Sequence, residues 1–262
     1  MSVMMQNLVA AWDIDCTQTI GMIFDVDELL FDNSREIFLA YKFLLDSRGT
    51  HIDEGEKFVG RNLFDIISKI KQKYDIDDDV KELVEERKRK YIELLSVTTA
   101  DVKKGVKEVL TFLDQNRKKL NVRLGYATSS EKVFSDIIIK RVFLCCGLEG
   151  YINNGHKFFY YNSENQMAAT CWEPGLEKKP SPMLYTKTVE KMGLIPAQCI
   201  AFEDSASGVE AALSAGLNVI VIPSLFNEEV FKNLEPNVFK ERKICKMSSF
   251  LDFLPILFSL VK

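Results

Sequence analysis

The stretch Gly21-Met-Ile-Phe-Asp-Val-Asp-Glu-Leu-Leu-Phe-Asp-Asn33 decides how the rest of the chain reads. Met22, Ile23 and Phe24 form a short apolar run, the pattern of a strand buried on both faces of a parallel sheet. The run ends in Asp25, and a second carboxylate, Asp27, follows two residues on. In open α/β sheets ligands bind beyond the carboxyl ends of the strands. One carboxylate there can attack phosphorus, and a second can carry a proton to or from the leaving oxygen. If the strand continues, side chains two apart share a face, so both reach one substrate. The plain alternative is a polar turn after a core strand, and Asp-x-Asp by itself does not separate the two.

Three later stretches bear on that choice. Val122 to Ala127 read as a strand, followed by Thr128 and Ser129, whose hydroxyls and backbone N–H groups can hold a phosphoryl oxygen or cap a helix. Lys179 precedes Pro180, which restricts it to extended geometry. An ammonium near Asp25 would keep the aspartate ionised and offset phosphate charge. Cys199 to Phe202 read as another strand, ending in Glu203-Asp204 before a helix that stops at Gly216. Those two acids either cap that helix or join Asp25 in a hard oxygen site of the kind magnesium prefers.

Taken together, Asp25-Val26-Asp27, Thr128 after Leu124-Gly125-Tyr126-Ala127, Lys179-Pro180 and Glu203-Asp204 resemble the four motifs of the haloacid dehalogenase (HAD) superfamily. The closer likeness is to its β-phosphoglucomutase-like phosphatases, and it runs from about Gly21 to about Pro223. The resemblance implies a doubly wound parallel α/β sheet with an inserted helical cap. It implies a magnesium-dependent phosphatase acting on a small phosphorylated metabolite. In that reading Asp25 becomes an aspartyl-phosphate, and Asp27 protonates the leaving oxygen and then activates water. Thr128 and Lys179 hold phosphoryl oxygens, with Val26 and Ser129 beside the substrate. Asp25, Asp27 through its carbonyl, Glu203 and Asp204 place Mg2+.

The expected domains are an N-terminal extension over 1–18, a HAD-like core over 19–33 and 98–262, and a helical cap over 34–97. Within the cap, apolar stripes run through Ile37, Leu39, Ala40, Phe43 and Leu44, then Leu63, Phe64, Ile66, Ile67 and Ile70, then Leu83, Val84, Tyr91, Leu94 and Leu95. Gly49 and Gly60 separate them. Arg61 is the cap's candidate substrate contact; a plain surface arginine is the alternative. Asp13-x-Asp15 also fits the first motif, but too few residues follow it for a crossover or cap. Phe158 to Tyr161 read as a strand and Asn162 to Glu177 as a loop, an insertion relative to the family.

Composition narrows the rest. The 262 residues are 47% hydrophobic and 27% charged, enough for a proper core, and the net charge of −4 argues against a nucleic-acid partner. Arg87, Lys88, Arg89 and Lys90 lie among glutamates and read as a solvated helix face. Six cysteines without a Cys-x-x-Cys pair, and two histidines, give no zinc pattern. The start is a poor signal peptide, and the apolar tail from Phe250 is broken by Asp252 and Pro255, so it reads as a core-packing segment rather than a membrane span. A cytoplasmic protein with no membrane partner is expected; the sequence assigns no oligomeric state. The rival functions are a sugar-phosphate mutase of the same superfamily, a non-catalytic binding or regulatory module on the fold, and a dehalogenase, against which Asp27 counts. Counting on from the first motif, the histidine that couples closure to catalysis in the β-phosphoglucomutases falls at Ile37, which can neither donate nor accept a hydrogen bond.

Overall fold

The computed structural model describes residues 12, 14, 15, 17–53, 63–116, 119–148, 167–224, 231 and 244–260. The chain divides into two compact units, one of residues 1–32 and 101–262 and one of Asn33–Ala100. The first is built on strands β1 (Ile20–Phe24), β2 (Val122–Glu131), β3 (Met167–Trp172), β4 (Cys199–Glu203), β5 (Asn218–Val221) and β6 (Ile244–Lys246). All pair in parallel, in the order β3-β2-β1-β4-β5-β6. The order reverses at β1, the kind of switch point where α/β sheets bind ligands.

Alternation along these strands sorts the core into two layers. Ile23, Ala201, Val219 and Val221 pack with Leu184, Tyr185, Val189 and Met192 of a helix over Met183–Met192. Phe24 and Phe202 belong to the other set: their rings stack at 4.7 Å, and Phe202 meets Phe250 at 5.7 Å and Phe253 at 4.9 Å. Each such aromatic pair contributes about 0.5–1.5 kcal/mol beyond the area it buries. The tail from Phe250 is therefore core, as its apolar pattern indicates, with Phe250, Phe253, Ile256 and Leu257 buried. Gly21 has a local reason: a Cβ there would lie 2.6 Å from Cys199 Sγ, so only glycine lets β1 and β4 approach at that point.

The second unit holds helices α1 (Ser34–Asp46), α2 (Leu63–Lys73) and α3 (Val80–Val97). Asp79 caps α3, its carboxylate accepting from the N–H groups of Lys81 and Glu82. The buried stripe of α1 is Glu36, Ala40, Tyr41, Leu44 and Leu45, rotated from the expected one, and Phe43 is exposed. In α3 Arg87 is buried, not solvated. Its guanidinium lies 4.6 Å from the Tyr41 ring and 4.4 Å from the Tyr91 ring, where cation–π attraction replaces part of the lost hydration.

Two strands depart from the sequence reading. Met167–Trp172 is β3, not a loop; it pairs with β2 from Leu124↔Met167 onward, and Ala169 and Thr170 are buried. Small residues in a polar context carry little strand signal, and it is the exposed flank of β2 that recruits them. Pro174-Gly175 does form a turn, with Gly175 at φ +94°. β6 has no counterpart in the sequence reading. The expected strand at Phe158 to Tyr161 lies outside the described residues, as does most of the N-terminal extension. Asp15 is exposed and holds a local turn, accepting from the Thr17 N–H at 2.9 Å and hydroxyl at 2.6 Å. Among the described residues no helix is long and apolar enough to cross a membrane.

Candidate active site

The register of the sheet assembles the site. Phe24 pairs with Tyr126 on β2 and with Phe202 on β4, so the residues that follow these three leave the sheet side by side. The Asp25 N–H still donates to Phe202 O at 2.9 Å. Beyond it β1 ends. Asp27 lies in a loop, bridged to Phe31; strand alternation therefore does not place it beside Asp25, contrary to the expectation from its spacing. Hydroxyls from β2 place it instead. Asp27 Oδ2 accepts from Ser130 Oγ at 2.7 Å and Thr128 Oγ1 at 3.2 Å, and the Ser130 N–H donates to Thr128 Oγ1 at 3.0 Å.

Asp25 is set differently. It is 8% exposed, and one carboxylate oxygen accepts from Lys179 Nζ. The same ammonium donates to Glu203 Oε1 at 2.5 Å. Lys179 is held from behind by its own N–H, which donates to Ser129 Oγ at 3.2 Å. Lys178 turns away, its ammonium 4.2 Å over the Trp172 ring. Burial pushes the Asp25 carboxyl well up; the Lys179 charge opposes this, and the carboxylates of Glu203, Asp204 and Asp27 reinforce it. For Lys179 burial acts downward, yet the two facing carboxylates win and hold it charged above the ordinary lysine range.

Glu203 is fully buried, and both its oxygens have protein partners. Oε1 takes Lys179 and the Tyr185 hydroxyl at 2.6 Å; Oε2 takes Ser205 Oγ at 3.3 Å. Ser205 also caps the following helix, Ala206–Ser214, accepting from the Gly208 N–H at 3.1 Å. A Cβ on Gly208 would stand 2.0 Å from the Glu203 carboxyl carbon. Glycine at that position is what admits the glutamate between helix and strand.

Asp25, Glu203 and Asp204 can bring carboxylate oxygens within 4.8 Å of one another, all three buried. Such a donor set fits a hard divalent cation, whose charge would offset the acids' mutual repulsion. Val26 is fully buried beside Asp25. Arg61 and Asp13 lie outside the described residues.

Three participants were not foreseen. Ser130 lies one residue past the Thr-Ser pair, where only its register against Asp27 distinguishes it. Tyr185 is one apolar-patterned helix residue among several, and no local signal marks it. Glu28, next to Asp27, is held at φ +60°. Burial is the main cause pushing its carboxyl up to about 7; Lys103 opposes this, and Asp32, Asp204 and Asp27 add to it.

A model of the haloacid dehalogenase-like hydrolases matches residues 21–216. The chain belongs to that family. It is accordingly an enzyme of the phosphoric monoester hydrolase class expected from its motifs. It is 28% identical over 206 residues to a phosphorylated carbohydrates phosphatase of Thermotoga maritima, covering 76% of this chain and 83% of that one. It is 24% identical over 206 residues to a β-phosphoglucomutase of Bacillus subtilis, covering 75% and 80%. The crystal structure of CbbY from Rhodobacter sphaeroides in complex with phosphate shares the fold, with a TM-score of 0.67 at 18% identity over 92% of this chain and 100% of that one.

Proposed function

We propose that this HAD-like hydrolase is a magnesium-dependent phosphatase of a small phosphorylated sugar, acting through an aspartyl-phosphate on Asp25. The observation that carries the reading is the separation of two carboxylates by environment. Asp25 faces a buried ammonium and two further acids, while Asp27 is held by two hydroxyls and is set apart for proton transfer. An Asp25 oxygen bonds to phosphorus as the ester P–O bond breaks, and the leaving oxygen takes its proton from the Asp27 carboxyl. Asp27 then takes a proton from water as the water oxygen bonds to phosphorus and the bond to Asp25 breaks, releasing phosphate. Lys179 and Thr128, with the Val26 and Ser129 backbone, hold the phosphoryl oxygens. Asp25, Asp204 and the Asp27 carbonyl would hold the cation, with Glu203 behind them anchoring Lys179. When bound, magnesium offsets the charge of a dianionic phosphate approached by an anionic nucleophile. The helical unit Asn33–Ala100 is read as the cap that selects the substrate, with Arg61 as its candidate contact. The sugar-phosphate assignment draws on the named activity of the Thermotoga relative.

Chelation tests the metal. Excess chelator should stop phosphate release from a panel of sugar phosphates, and added magnesium should restore it. Equal turnover in chelator would remove the role given to Asp204.

The relation to a β-phosphoglucomutase makes isomerisation the rival reading. A mutase must keep water from the phosphoenzyme, and Ile37 stands where that family's coupling histidine falls. With β-glucose 1-phosphate and catalytic glucose 1,6-bisphosphate, free phosphate should appear in preference to glucose 6-phosphate. Efficient isomerisation with little phosphate released would overturn the phosphatase reading.

A further inference from the structure

The loop that carries Asp27 is tied down at a point the chemistry above does not use. Glu28 and Asp75 are the described non-glycine residues with positive φ, at 60° and 52°. A side chain with a Cβ is disfavoured in that region, and it persists where neighbours over-determine it. Here the neighbours are explicit. The Glu28 N–H donates to Phe31 O at 3.1 Å, and the Leu30 N–H to Val26 O at 3.1 Å, closing a tight turn. The turn lies against residues 101–103: Phe31 bridges Val102, the Asp32 N–H donates to Asp101 O at 3.3 Å, and the Lys103 N–H donates to Leu30 O at 3.0 Å. Across the two ends of the turn sits one ammonium. Lys103 Nζ is 3.5 Å from Glu28 Oε2 and 3.6 Å from Asp32 Oδ2.

An ordinary surface ion pair contributes little. This one is not ordinary in its setting. The Lys103 and Glu28 side chains are only 20% and 14% exposed, while Asp32, at 48%, closes the bridge from the solvent side. Without Lys103 the two ends of the turn lose the ammonium that bridges Glu28 and Asp32. Asp27 is bonded to β2 through its carboxylate and to this turn through its backbone. A shift of the turn therefore changes the aim of that carboxylate.

We propose that Lys103, acting through Glu28 and Asp32, is a positioning residue for Asp27 and so controls proton delivery to the leaving oxygen. This rests on the reading of Asp27 as the general acid. The consequence is specific to the leaving group. A benzyl oxygen departs poorly unless protonated, phenolate is intermediate, and 4-nitrophenolate leaves readily as an anion. The step up to phosphoenzyme formation is reported by kcat/KM, so the three phosphate esters read the acid alone.

Lys103→Met keeps the aliphatic stem and removes the charge. It should lower kcat/KM for benzyl phosphate about tenfold, for phenyl phosphate less, and for 4-nitrophenyl phosphate by no more than about twofold. Lys103→Arg should restore the pattern. Glu28→Gly, which suits a left-handed turn and so keeps the fold, should show the same selective loss. The double variant should be no worse than either single one. Asp27→Asn should show the same selectivity more strongly. If Asp27→Asn slows all three esters equally, the general-acid reading fails and takes the proposal with it. If Asp27→Asn is selective while Lys103→Met and Glu28→Gly slow all three alike, or none, the proposal alone is overturned.

Discussion

Asp25→Asn should abolish phosphate release while the protein stays folded. The substitution exchanges one oxygen for an amide nitrogen of nearly the same size. What disappears is the anionic oxygen that attacks phosphorus, and a neutral amide is no substitute nucleophile. Loss of a residue on which the whole sequence of bonds depends costs roughly a thousandfold or more in kcat. The fold should survive because the introduced asparagine keeps a carbonyl for Lys179, and the N–H bond from this position to Phe202 O is a backbone contact. Free phosphate and a thermal melt together read the outcome. Normal turnover in Asp25→Asn, with loss in Asp13→Asn instead, would mean that the first Asp-x-Asp is the catalytic one.

Lys179→Met should be the more damaging of the two changes to stability, and it should lower activity as well. The Lys179 side chain is 4% exposed, and its ammonium lies between Asp25 and Glu203, itself fully buried. Removing it strands two carboxylates in a poorly solvated site. Breaking a buried ion pair from one side costs about 3–5 kcal/mol, far more than exchanging a surface lysine. Turnover should fall with it, because the cation that faces both nucleophile and phosphoryl oxygens is gone. Lys179→Arg should not rescue: a planar guanidinium needs more room than a niche closed by the Tyr185 ring, 5.0 Å from Nζ. Denaturant unfolding of the variant measures the first effect and a phosphate assay the second. An unfolding free energy within about 0.5 kcal/mol of the parent would show that the Lys179 ion pairs are solvated rather than buried.

The two predictions turn on different kinds of information. That Met22-Ile23-Phe24 forms a central strand, and that Asp25 sits at its carboxyl end, follows from residue order alone. Three apolar residues ending at a charge have few other places in a parallel sheet, and Glu203-Asp204 falls after a similar run, whereas Lys179 follows a polar stretch and is marked only by Pro180. The apolar tail from Phe250 is legible for the same reason, since hydrophobic periodicity is a local property of the chain.

What the carboxylates do with their neighbours is not local. Asp27 is oriented by Thr128 and Ser130 of β2, and Asp25 by Lys179, whose partners lie far along the chain. Hydrogen bonds of this kind depend on strand register, which no short stretch encodes. Glu203 and Asp204 look alike in sequence. Only the packing of Gly208, Tyr185 and Ser205 turns the first inward onto Lys179. β3 likewise takes its identity from the flank of β2 rather than from its own small and polar residues. The sequence determines which groups stand at the strand ends. Tertiary structure decides which oxygen meets which proton, because those contacts join segments that only folding brings within hydrogen-bonding distance.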